Sequence, residues 1–240
     1  VLAMVASRAL RVAVAARKGG VDLTGVTFVI SGEPVTKAKV EGIAASGASY
    51  FTTYGYSEAG RIGRGCCNPS SSNDLHLLSD MCAVITYPRT VSETITVPAL
   101  NVTCLLPSSP KILLNAESDD YGILEQRHCG CPLERLGFTT HLREIRSFRK
   151  LTGEGVSVLG IDILHILEEV LPGKFGGSPL DYQLVEEEDR NGFTYVNLIV
   201  SPSVPIDDEA EVVSTLLEAM NRRGPAGGAA SETWAQSGNL

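Results

Sequence analysis

The sequence predicts an α/β fold with a parallel βαβ portion, an antiparallel β subdomain and a small, partial α+β C-terminal domain. Three observations predict it. "VTFVISG" and "SYFTTYG" are apolar, β-branched runs separated by a helical stretch over about 35–46, the spacing of a parallel βαβ unit. From about 74 to 126 the texture changes to short strand-like runs joined by polar and Pro-containing connections. Past about 147 an Asn191-Gly192 hairpin signature and an acidic-capped amphipathic segment follow each other.

The elements follow in order. "LAMVASRALRVAVAAR" (2–17) has a helical pattern, and Gly19-Gly20 ends it. With Arg8, Arg11 and Arg17 it reads as an amphipathic helix, not a signal peptide. Pro34 opens the second helix and Gly47 stops it. "LHLLSD", "CAVITY", "TITVPAL", "NVTCLL" and "KILLNAES" read as short strands. Residues 127–160 read as loop-rich. "DILHILEEVLP" is expected to be a helix ended by Pro172. "DDEAEVVSTLLEAMNRR" places acids in its first turn and arginines in its last, as the helix dipole favours. The domain boundary is expected at 146/147, with 147–240 incomplete. The chain does not begin with Met, and it reads as a piece of a longer reading frame.

The 240 residues are 43% hydrophobic and carry a net charge of −8. With no Lys/Arg run, that charge argues against a nucleic-acid partner. No stretch of about 18 apolar, uncharged residues occurs, so no membrane-spanning helix is expected. Glu186–Asp189 reads as a solvated turn approach. Oligomeric state stays open, a homodimer included.

Six cysteines are present. Cys82 and Cys104 lie in strand-like runs as ordinary packing thiols. Cys66, Cys67, Cys129 and Cys131 lie in Gly- and Pro-rich loops. In a reducing cytoplasm, the expected setting, metal is favoured over disulfide there. Thiolates with one imidazole suit tetrahedral Zn²⁺. A Cys-x-Cys pair can supply two ligands from one loop, and a distant Cys and His the others. The spacing is not that of a standard finger. By pattern, His141 and His165 read as packing or surface residues.

The stretch "YGYSEAG" (54–60) would lie at the carboxyl end of a strand, where open α/β sheets bind ligands. Gly55 would admit close backbone approach, Tyr54 could stack on a base, Ser57 could bond phosphate, and Glu58 could ligate a hard cation. A tight turn with a capping Glu fits the same residues.

"SGEPVT" stands at the end of the preceding strand, and "GEP…YGYSE" resembles the nucleotide-binding segments of the adenylate-forming superfamily, closest to phenylacetate–coenzyme A ligases. The resemblance runs in order through nearly the whole chain. It implies that Gly32, Glu33 and Pro34 line an adenine pocket and that Tyr54 and Gly55 flank adenine and the acyl carboxylate. Ser57, where the family usually has Thr, would bond phosphate, and Glu58 would bind Mg²⁺. "ESDDYGIL" resembles the ribose-binding segment, with Asp120 as the better match and Asp119 as the fallback. "IRSFRKLTGEG" resembles the hinge segment, with Arg146 as the ribose- and phosphate-contacting arginine. Phe148 and Arg149 stand where the family has aspartates, which puts the hinge carboxylate in doubt; Gly153 and Gly155 could still allow a mobile C-terminal domain.

The resemblance also implies zinc at Cys66, His76, Cys129 and Cys131, in a structural role, with Cys67 as the alternative first ligand and His128 as a weaker candidate. The implied activity is ATP-dependent activation of a small carboxylic acid through an acyl-adenylate, with transfer to coenzyme A. The implied cofactors are ATP, Mg²⁺, coenzyme A and structural Zn²⁺. Transfer to a carrier protein or another acceptor is the alternative, and a non-catalytic zinc-binding relative is a second. The family's phosphate loop and catalytic lysine would lie upstream of Val1 and downstream of Leu240, so this stretch alone is expected to be inactive.

Overall fold

A computed structural model describes residues 1–92, 95–147, 152–153, 156–157, 163–188 and 194–222. The chain divides into two compact units, Val1–Arg89 with Val97–Phe148, and Thr90–Thr96 with Arg149–Leu240.

The first unit is built on one nine-stranded mixed sheet of order β1-β2-β3-β4-β5-β9-β8-β7-β6. Its strands are β1 (Leu2–Met4), β2 (Thr27–Ile30), β3 (Ser49–Tyr56), β4 (Gly60–Gly65), β5 (Leu75–Leu77), β6 (Cys82–Ser92), β7 (Ile95–Cys104), β8 (Ala116–Gln126) and β9 (Thr140–Ser147). β1, β2 and β3 are parallel, and β3 turns to antiparallel pairing with β4. The α/β class with parallel and antiparallel portions holds, and the two portions share one sheet through β3.

Helices α1 (Ala6–Lys18) and α2 (Lys37–Ala44) form the crossovers between the parallel strands. The expected helix over 2–17 is shorter at its start. Leu2–Met4 instead pair with Phe28–Ile30 as strand β1. Three apolar residues carry no periodicity of their own, so only the partner strand decides their state. The N-cap of α1 is Val5, whose side chain has no hydrogen-bonding group to offer. The Glu33 carboxylate, from the loop after β2, takes its place by accepting from Ser7 N at 2.9 Å and Ser7 Oγ at 2.8 Å. Helix α2 begins after Thr36, whose hydroxyl accepts from Lys39 N, rather than at Pro34.

The antiparallel region has fewer and longer strands than expected. "TITVPAL" and "NVTCLL" are one strand, β7, running through Pro98. "KILLN" is not a strand, and β8 starts at Ala116. β4 and β9 carry no strand expectation: β4 is half glycine, and β9 interrupts its two apolar residues, Leu142 and Ile145, with the adjacent charges Arg143 and Glu144.

Tyr54 Oη on β3 donates to Asp120 Oδ2 on β8 at 2.8 Å. Four interstrand steps separate these strands, ~19 Å in a flat sheet, far beyond the reach of one tyrosine. The sheet therefore curls, and the strands of its antiparallel part share one core: Ile62, Leu77, Val84, Leu100, Val102 and Leu142.

In the second unit, α4 (Ile163–His165), a π-helical turn (Ile166–Val170) and α5 (Leu171–Phe175) form a continuous run, preceded in the chain by the four-residue α3 (Pro132–Arg135) of the first unit. Pro172 does not end this helix, contrary to expectation. The widened turn bonds Leu171 N to Ile166 O, five residues back, and Pro172 then sits in the first turn of α5, where a missing N–H costs little. β12 (Tyr182–Glu188) and β13 (Thr194–Val200) pair antiparallel as expected; the Asn191-Gly192 turn lies outside the described residues. α6 (Glu209–Asn221) is capped by Asp208, which accepts from Ala210 N and Glu211 N. Val212, Leu216 and Met220 recur every fourth residue on its buried face.

Candidate functional site

The segment Tyr54–Gly60 is a hairpin corner. Tyr54, Gly55 and Tyr56 belong to β3, and only Ser57, Glu58 and Ala59 form the turn, closed by Ala59 N to Tyr56 O at 3.2 Å. The expected loop is thus shorter, because β4 pairs back at once. A bulge falls between Tyr54 and Gly55. A Cβ at Gly55 would stand 2.2 Å from Gly60 O and 3.0 Å from Arg61 Cα. The close approach at Gly55 is therefore to the neighbouring strand. Gly55→Ala is expected to destabilise the protein by about 1–3 kcal/mol, since backbone must move; urea denaturation of the two proteins measures it.

Ser57 and Glu58 are exposed at this corner. Gly32 has φ +77°, a conformation that favours glycine, and its loop carries exposed Pro34. Glu33 is committed to capping α1, as described. Asp120 accepts from Tyr54, and the register pairs Tyr121 with Arg146 and Asp120 with Ser147. Arg146 is therefore one position along β9 from the partner of Asp120. Burial first, then the Asp120 carboxylate, pushes the Tyr54 hydroxyl well above its ordinary range and keeps it a donor. Tyr56 is pushed up to about 12 by burial and nearby acidic groups. Asp119 has φ +61°. Phe148, Arg149 and Gly155 lie outside the described residues; Gly153 is in the two-residue strand β10 (Thr152–Gly153), which pairs with β11 (Val156–Ser157).

The structure brings the cysteine–histidine set together. Cys66 follows β4, His76 is the middle residue of β5, and Cys129 and Cys131 lie between β8 and β9. His76 is fully buried. Its Nδ1–H donates to Phe138 O at 2.7 Å, so in the neutral ring Nε2 carries the lone pair. That lone pair faces Cys131 Sγ at 3.1 Å and Cys129 Sγ at 3.6 Å.

Burial pushes the Cys66 thiol up to about 12. Cys129 is raised, chiefly by burial. Burial also acts to raise Cys131, but N–H groups of Glu134, Cys67 and Leu133 and the Cys129 side chain outweigh it and bring Cys131 down to about 6. A lone pair facing a thiolate at van der Waals distance is repulsive unless a proton or a cation sits between them. Zinc at about 2.3 Å from sulfur and about 2.0 Å from nitrogen would put a ligand nitrogen and a ligand sulfur ~3.5 Å apart in a tetrahedron, and the two nitrogen–sulfur spacings are of that order. The chemistry of the donors fits the metal; the ligand atoms that lie within 4.8 Å of one another are those of Cys66, His76, Cys129 and His141, with Cys131 Sγ beside them.

Cys66 and Cys67 are now distinguished in position. Cys66 is buried and its sulfur accepts from Asn68 N at 3.3 Å and Arg127 Nη2 at 3.5 Å. Cys67 is exposed. Asn68 Nδ2 donates to Cys129 O at 2.8 Å and joins the two loops. Gly130, between Cys129 and Cys131, has φ +73°, which the Cys-x-Cys turn requires. Glu134 accepts from Gly130 N and from His128 Nδ1, holding the turn from outside. His128 is an exposed part of that contact.

Three residues beside this cluster carried no site expectation: Asp74, Arg127 and His141. Asp74 has a fully buried side chain that pairs with Arg127, with His141 Nδ1 at 2.6 Å, and with Ser70 N and Oγ at 2.7 and 2.9 Å. His141 is fully buried, not a surface residue. Burial works against the charge on Asp74, but the Ser70 and His141 donors outweigh it and hold its carboxyl below the usual range. The one sequence signal was an acid and a histidine at Asp74 and His76 in the otherwise apolar run "DLHLL".

No protein-family model matches the chain, and no curated protein does. Solved structures similar to it include an acyl-CoA synthetase (AMP-forming)/AMP-acid ligase II-like protein of Dyadobacter fermentans, at 16% identity and TM-score 0.38, over 94% of this chain and 56% of that one. E. coli MenE with a bound phenylether-linked analogue of OSB-AMS is 12% identical at TM-score 0.43, over 88% and 43%. An acyl-CoA synthetase of Brucella canis is 13% identical at TM-score 0.37, over 91% and 44%. The chain spans about half the length of these structures. Among the described residues no helix is long and apolar enough to cross a membrane.

Proposed function

We propose that this chain is part of a cytoplasmic enzyme that activates a small carboxylic acid with ATP and passes the acyl group to coenzyme A, in the manner of the phenylacetate–coenzyme A ligases its motifs resemble. One observation carries the reading. Tyr54 and Asp120, 66 residues apart and from two different motif segments, meet in a 2.8 Å hydrogen bond, with Arg146 beside them in register. A curled sheet that gathers a tyrosine, a carboxylate and an arginine suits a nucleotide: Asp120 would accept from the ribose hydroxyls, and Arg146 would hold ribose and phosphate. Tyr54 would fix the Asp120 carboxylate and offer its ring face to adenine, with Gly32 and Pro34 on the adjacent loop. Ser57 would bond the phosphate, and Glu58 would take Mg²⁺ at the exposed corner. The protein supplies positioning and charge neutralisation: the acyl carboxylate attacks the α-phosphorus, and pyrophosphate leaves. The 1–146 portion would belong to the large adenylation domain and 147–240 to the small one.

In the same reading Zn²⁺ is held by Cys66, His76, Cys129 and Cys131 and is structural, because four protein ligands leave no open position.

Acid-dependent ATP–pyrophosphate exchange tests the activity, measured with the chain joined to the length its structural neighbours have beyond it. Exchange with at least one member of a broad panel of aryl and aliphatic acids is the expected result; none with a well-folded protein would overturn the reading. Asp120→Ala is expected to weaken nucleotide binding about 10–100-fold, the size of a charge-assisted hydrogen-bond loss, as read by calorimetric titration with Mg·ATP. An unchanged affinity would remove Asp120 from the site.

A further inference from the structure

The thiol-rich pocket holds more donors than a tetrahedral ion can use. The ligand atoms of Cys66, His76, Cys129 and His141 lie within 4.8 Å of one another. Cys131 Sγ is a fifth donor, 3.1 Å from His76 Nε2. The imidazole rings of His76 and His141 stand 4.1 Å apart.

His141 has the features of a metal histidine. Nδ1 contacts both Asp74 Oδ1, at 2.6 Å, and Arg127 Nη2, at 3.2 Å. It cannot donate to the first and accept from the second. The shorter contact, to a carboxylate, decides for Nδ1–H, and the guanidinium is engaged by the other Asp74 oxygen. The second nitrogen, Nε2, is then a lone-pair acceptor. It is buried and has no hydrogen-bond partner. A buried orphan acceptor carries a desolvation penalty that a bonding partner would remove. The carboxylate–imidazole pairing on its far side is the arrangement that orients metal-binding histidines.

We propose that His141 is a reserve ligand of this metal site: Asp74 presents its imidazole so that it takes up one of the four positions when Cys131 does not. This rests on the proposed zinc reading and adds to it a second donor set, Cys66, His76, Cys129 and His141, with two sulfurs and two nitrogens. The exchange is of ligands only. One metal–sulfur bond is replaced by one metal–nitrogen bond, and the ion stays divalent.

Co²⁺ reports thiolate number through its sulfur-to-metal charge-transfer absorption, so the test loads the purified chain with Co²⁺ and reads stoichiometry and spectrum. The wild type and His141→Ala should each hold one ion with the same three-thiolate spectrum. Cys131→Ala should still hold one ion, with the charge-transfer band reduced by the share of one thiolate in three. Cys131→Ala combined with His141→Ala should lose the ion on gel filtration. Near-UV circular dichroism in excess metal checks that each protein is folded. A Cys131→Ala chain that stays metal-free or unfolded in excess metal, while His141→Ala folds and binds, overturns the proposal. So does a Cys131→Ala chain whose binding and spectrum are unchanged by adding His141→Ala. A wild-type chain that binds no ion overturns the zinc reading itself, and is told apart by that first sample.

Discussion

Asp74→Ala is expected to destabilise the protein by about 3–5 kcal/mol, the size seen when one member of a buried ion pair is removed. The Asp74 side chain is fully buried and engages Arg127, His141 and both donors of Ser70. Truncation leaves a partly buried guanidinium without its carboxylate and a buried imidazole N–H without an acceptor. Asp74→Asn, which keeps the shape and can still accept from Ser70, should lose less. Denaturant unfolding with a chelator present measures both without a metal contribution. A loss below about 1 kcal/mol, the range of surface pairs, would show that Asp74 does not hold this cluster.

Leu216→Ala is the second large effect, about 2–5 kcal/mol. Leu216 lies on α6, fully buried in a cluster with Ile166, Leu171, Val212 and Met220. Its removal leaves a cavity between the α6 face and the helical run 163–175, neither of which is stable alone at its length. The measurement is native-state hydrogen exchange of the α6, β12 and β13 amides, which reads the C-terminal unit by itself. The control is Glu218→Ala on the exposed face of the same helix, expected within about 0.5 kcal/mol of wild type. Equal effects for the two would mean that α6 is not packed through Leu216.

Much of the fold was legible because it is local. The parallel βαβ unit, the β12–β13 hairpin and α6 each carry their periodicity and caps in their own residues. The strand β1 was not legible, nor was the continuation of the last helical run through Pro172. The first is fixed by Phe28–Ile30 pairing with it, and the second by a π turn that shifts the bonding by one residue. β4 and β9, like β1, are strands whose pairing is decided by their neighbours; in these two it is glycines and charges that hide the strand.

The candidate sites divide in the same way. The chemistry of the residues by itself marked the loop cysteines and His76 as metal-binding types and Tyr54 as a ring that could stack on a base, because residue chemistry is local; Asp120 and Arg146 entered only through the resemblance of their segments. That Tyr54 reaches Asp120 was decided by the curl of the sheet. That Cys66 turns inward while Cys67 faces solvent, and that Asp74, Arg127 and His141 form one buried network beside the thiols, was decided by packing. An acid in an apolar run such as Asp74 does not name its partners in the sequence, because the groups that offset the cost of burying it are distant along the chain; only the tertiary structure brings those partners together.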